Sequence, residues 1–145
     1  MVIQEYVRIL RIPLLLVTVN FLLSMAMMLL HLQEGVVSMF ADVASTIVSI
    51  VAICLAGWIT MADSSKSLWT AAWVGVVVFF AELVVLGGLY VLLGLGANGI
   101  GESASNGAVL FGVVISFGLL SPVALLLGAS GGWLRKKKEA QGGPT

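Results

Sequence analysis

Four long apolar stretches constrain this chain more than any other feature. Residues 13–30, 43–61, 68–95 and 108–127 are apolar almost throughout, and the one charged side chain inside any of them is Glu82. A helix needs roughly 20 residues to cross a hydrocarbon core about 30 Å thick. Lipid offers the backbone no hydrogen bonds, so a spanning segment must be a helix or part of a closed barrel. Runs this long, without strict alternation, predict helices. Composition agrees: 60% of the 145 residues are hydrophobic, 10% are charged, and the mean hydropathy is +1.14. A soluble domain of this length would need a charged skin that is missing here. The predicted fold is an all-α membrane protein, a four-transmembrane-helix bundle with both termini cytoplasmic.

Taken in order, residues 1–11 read as a short amphipathic helix on the membrane surface. Val2, Ile3, Tyr6, Val7, Ile9 and Leu10 share one side, while Gln4, Glu5, Arg8 and Arg11 take the other. Pro13 then suits the first turn of the next helix, where its missing N–H costs nothing. Arg8 and Arg11 before an apolar run imitate a signal peptide, but the run is long and no small-x-small site follows it. The transmembrane domain is expected over residues 12–133. Asp42 is placed to cap the second span, whose Ala41, Ser45, Ser49, Ala52 and Ala56 form a seam of small residues. Asp63 or Ser64 should cap the third. The 28 residues of that span would reach about 42 Å, so it must tilt, project or bend at Gly87-Gly88. A glycine-rich loop precedes the fourth span, which contains Ser121-Pro122. Residues 134–145 read as a basic, flexible cytoplasmic tail. No internal repeat is visible.

Orientation follows from charge sorting. Arg8, Arg11, Lys66, Arg135, Lys136, Lys137 and Lys138 are all the lysines and arginines present, and all fall on the side shared by the termini and the middle turn. The positive-inside rule puts that side in the cytoplasm. Trp58, Trp69, Trp73 and Trp133 gather at the same interface and Tyr90 at the opposite one.

Glu82 heads the candidates for chemistry. It lies 13 residues beyond Trp69, about 20 Å along the axis and near the bilayer middle. An ionised carboxylate there is costly, so it should be neutral unless water or a cation reaches it. It is expected either to bind a proton or cation or to form a buried polar pair with Asn20 or Ser49. Ser45, Thr46, Ser116 and Ser121 complete the small set of intramembrane polar groups. Asn20 reads as interhelical glue, and Pro122 as a static kink more than a hinge. The cluster of Arg135, Lys136, Lys137 and Lys138, with Arg8 and Arg11, suits anionic lipid headgroups.

Other patterns carry less. Gly94, Gly96 and Gly99 match G-x-G-x-x-G, but in the wrong context for a dinucleotide. His31, Glu34 and Asp42 are too scattered to predict a metal site. Cys54 reads as a packing residue, and neither Asn98 nor Asn106 begins a glycosylation acceptor. No cofactor and no nucleic acid is implied.

In size, and in having one membrane-embedded glutamate, the chain is similar to the small multidrug exporters. That similarity covers no motif. Their glutamate belongs to the first helix, where this chain has Asn20, so no residue role is carried over.

Two functions of different class fit the sequence. One is a non-catalytic integral membrane protein acting by self-association or as an accessory, structural subunit of a larger membrane complex. The other is a small proton- or cation-coupled transporter or channel using Glu82. An enzyme is not expected, because no nucleophile–base pair is visible.

Overall fold

A computed structural model of the chain describes residues 2–29, 36–63, 65–92 and 106–142. Among these residues are four α-helices and no strand: α1 (Val2–Leu29), α2 (Val36–Thr60), α3 (Leu68–Leu92) and α4 (Asn106–Gln141). Three helices are long and apolar enough to cross a membrane. Among the described residues these are Met39–Thr60, Leu68–Val85 and Val114–Gln141, containing 18-residue runs of mean hydropathy 2.1, 2.1 and 1.8. The outer surface is apolar too: Phe40, Leu119 and Leu126 are each about 70% exposed. Polar Glu82 and Thr60 are buried instead. This inside-out arrangement suits a molecule whose solvent is lipid.

Helices α2, α3 and α4 pack against one another, and α1 lies chiefly along α2 with a smaller contact on α3. Their shared core contains Ala52, Ile53 and Ala56 of α2, Val74 and Val78 of α3, and Ala124 of α4. The residues are small because the backbones come close. A Cβ at Gly131 would run into the carbonyl of Cys54, and one at Gly57 into the carbonyl of Gly128. A Cβ at Gly128 would sit 2.6 Å from the Ala71 carbonyl oxygen, and one at Gly75 2.9 Å from that of Ala124. Between helices immersed in lipid, such close packing replaces the hydrophobic drive that water would supply. Farther along, Phe117 of α4 packs against Phe79 and Phe80 of α3, with ring centroids 6.4 Å and 5.2 Å away.

Several expected boundaries are corrected. The first eleven residues are not a separate surface helix, since α1 is continuous through Pro13. That proline forgoes one backbone bond, yet its ring is fully buried and neighbouring Ile9 joins the core. Asp42 does not cap α2, which begins earlier, at Val36. Asp63 does not cap α3 either. The cap is Ser67, whose Oγ accepts a hydrogen bond from the Thr70 N–H at 3.2 Å. That is the N-cap to N3 bond, and the Ser67 carbonyl also accepts the first intrahelical bond from Ala71 at 3.2 Å. Asp63 instead holds the turn, accepting from the Ser65 N–H at 2.9 Å and the Ser65 hydroxyl at 2.7 Å.

Helix α3 passes Gly87-Gly88 unbroken. Helix α4 does not stop near Leu127; it continues through Pro122 to Gln141, so the basic segment is helical. Leu134–Gln141 is rich in strong helix formers. Arg135 Nε and Glu139 Oε1 form an i,i+4 ion pair at 2.8 Å, and Gly142 N donates to the Lys138 carbonyl at 3.0 Å. Ser64, His31, Glu34, Asn98 and the Gly94–Gly99 segment lie outside the described residues.

Candidate functional site

Polar contacts around Glu82 cross the helices through Ser45 and Ser49 of α2, and farther along Cys54 Sγ lies 3.9 Å from Ser130 Oγ of α4. Ser45 and Ser49 are one turn apart, about 6 Å along the axis, on the face that continues to the buried Ala52 and Ala56. The seam of small residues expected on α2 therefore has a polar half and an apolar half.

The Ser49 hydroxyl donates to Oε1 of Glu82. Glu82 is only 7% exposed, and its side chain turns from α3 toward α2, inside its own bundle. Its other oxygen, Oε2, is buried and has no hydrogen-bond partner among the described residues. Such a group is costly in low dielectric, and it can take one more donor, a proton or a cation.

Asn20 of α1 makes the second contact. Its Nδ2 donates to Ser45 Oγ at 2.8 Å and lies 3.4 Å from the Ser45 carbonyl oxygen. Of the two partners anticipated for Glu82, the structure brings Ser49 to it by a hydrogen bond and takes the Asn20 amide to Ser45. Three helices are thereby tied by side chains one turn apart. Among the described residues, no three or more His, Cys, Asp or Glu side chains gather as a metal site. The arrangement can hold a proton or a small cation at Oε2.

The basic residues divide into groups. Arg8 and Arg11 are exposed on α1. Arg135 and Lys138 are drawn to Trp58 of α2, with the guanidinium carbon 5.8 Å and the ammonium nitrogen 5.7 Å from its ring centroid. Lys137 lies over a different ring, that of Trp133, at 5.1 Å. Lys136 is exposed. What looked like a uniform run of charge is thus sorted by helix geometry, because positions 135 and 138 share a face.

The role of Trp58 as a platform for cations was not anticipated, nor were the glycines of α4. A signal for the glycines existed: Gly128 and Gly132 stand in small-xxx-small spacing, with Ala124 one step earlier. Nothing in the sequence pointed Trp58 at α4, since 77 positions separate it from Arg135.

No family model, no curated protein and no solved structure matches this chain, so the reading of the site rests on its own residues.

Proposed function

We propose that the chain is a non-catalytic integral membrane protein of four spans, both termini cytoplasmic, acting as a homo-oligomer or as an accessory subunit of a larger membrane complex. The observation that carries this reading is Glu82. Its carboxyl is turned into its own bundle and bonded to Ser49, where it ties α3 to α2. A polar group used this way fixes helix register, and intramembrane pairs of this kind contribute about 0.6–2 kcal/mol. The helix faces left over are apolar and exposed, suited to lipid or to neighbouring membrane helices. Gentle extraction followed by mass determination tests the reading, with a self-associated or partner-bound form expected. A strict monomer with nothing bound would count against it. Reporter fusions after Leu32 and Gly101 should behave as extracytoplasmic, and one after Ser65 as cytoplasmic. A cytoplasmic signal at Gly101 would break the four-span topology.

A second reading, a proton- or cation-coupled transporter, is favoured by one observation: among the described residues, Oε2 of Glu82 is buried without a partner. Glu82→Gln separates the two. Glutamine keeps hydrogen-bonding capacity toward Ser49 but cannot exchange a proton or neutralise a cation. The structural reading expects the variant to fold and assemble as wild type, with no pH-dependent flux in proteoliposomes for it to lose. Normal assembly with abolished pH-dependent flux would establish the transporter instead.

A further inference from the structure

We propose that a cleft between the C-terminal ends of α2 and α4 binds the phosphate of an anionic lipid headgroup, with Arg135 and Lys138 as its cationic ligands and Trp58 as its wall. The cleft measures about 350 Å³ and is lined by Trp58, Arg135, Lys138, Glu139 and Gly142. That is more than ten times the roughly 30 Å³ share of one water, so it has room for a headgroup.

Charge favours an anion there. Arg135 and Lys138 bring two positive charges to one indole. Glu139 offsets one of them, and the end of α4 adds about half a negative charge, so the sum stays positive. The ion pair with Glu139 uses Nε of Arg135, leaving both Nη groups as donors. Lys138 has no acidic partner among the described residues. A guanidinium and an ammonium on adjacent turns suit a phosphate, which accepts from both at once. Lys136 and Lys137 do not line the cleft.

The surroundings point to a lipid as the source of that phosphate. Trp133 and Leu134, beside Arg135 in sequence, are about half exposed, and on the face of α2 that carries Trp58 so are Val51 and Ile47, seven and eleven positions earlier. A headgroup seated at Arg135 and Lys138 would find apolar surface below Trp58 along α2 for its acyl chains. Tryptophan walls are also characteristic of the headgroup level. This inference rests on the membrane reading above, and its test separates the two.

The full-length protein, reconstituted into phosphatidylcholine nanodiscs with and without phosphatidylglycerol, is purified and its retained lipid measured. The wild type is expected to enrich phosphatidylglycerol. R135Q/K138Q should reduce that enrichment on the order of twentyfold, whereas K136Q/K137Q, with the same charge removed, should reduce it less than about threefold. The charge-preserving swap R135K/K138R should retain it, which rules out misfolding at these positions as the cause. Equal losses in the two double variants would overturn the site, reducing it to general attraction by a basic helix. Inorganic phosphate alone should not displace the lipid; displacement would overturn lipid as the source. Failure to enter pure phosphatidylcholine discs would strike the membrane reading, not the cleft.

Discussion

The bundle is held in two different ways in two regions, and the contrast shows what stabilises helices in lipid. Where α4 crosses α2 and α3, the contact is backbone on backbone: Gly131 against Cys54, Gly57 against Gly128, Gly75 against Ala124. Where α1 and α3 meet the serines of α2, the contact is made by side chains, Asn20 to Ser45 and Ser49 to Glu82. The glycine region gains from many small dispersion contacts and tolerates no added atom. The polar region gains from the hydrogen bonds of Ser45 and Ser49 and leaves Oε2 of Glu82 without a partner among the described residues. Packing is therefore expected to carry more of the stability than the polar pairs, although the polar pairs are the more conspicuous in the sequence.

The largest effect should come from Gly131→Leu. Its Cβ alone would collide with the Cys54 backbone, which has no flexible end to move aside. A cost of about 3 kcal/mol or more is expected, read as loss of thermal stability in detergent. Gly118→Ala is the matched control, because nothing lies within 4 Å of a Cβ placed there. It should stabilise by up to about 1 kcal/mol through helix propensity alone. Similar behaviour of the two variants would remove the distinction between glycines at the crossing and glycines facing lipid.

Glu82→Leu should do less than Gly131→Leu. It breaks the bond from Ser49 but also removes the buried oxygen that lacks a partner, so the net cost should be about 1 kcal/mol or below. A loss as large as that of Gly131→Leu would invert the comparison and make the polar contact the principal one.

The smallest effect belongs to the turn that joins α2 to α3, which serves both regions. The hydroxyl and N–H of Ser65 hold the Asp63 carboxyl below the usual aspartate range, and Lys66 adds to that. A group depressed in the folded state stabilises above its unfolded value, about 3.9, and loses that contribution as pH falls through the lower folded value. Asp63→Asn should therefore flatten a slight decline in stability below about pH 4, seen by thermal melts across acidic pH. An unchanged acid profile would show that the turn contributes nothing through this carboxylate.

Much of the site was legible and much of the packing was not. Glu82 stands out because a single acid among apolar residues violates the composition around it, and Ser49 follows as one of few available donors. Asn20 was equally visible, but its described bonds go to Ser45, a choice made by the axial offset between α1 and α2. The N-cap of α3 was misplaced because Asp63, Ser64 and Ser67 all carry capping side chains, and only the chain's path into the helix selects Ser67.

By itself, then, the amino-acid sequence determined the helical class and the apolar segments that became α2, α3 and α4, because in lipid the backbone must satisfy its own hydrogen bonds. It also determined that an acid would be buried. The tertiary structure alone decided that α1 runs unbroken through Pro13 and that α4 carries its basic end as helix to Gln141. It also decided which glycines touch, and that Arg135 and Lys138 share the ring of Trp58 while Lys137 takes that of Trp133. These outcomes depend on helix rotation and axial offset, which arise from how whole surfaces interlock, and a linear pattern of residue types does not encode them one position at a time.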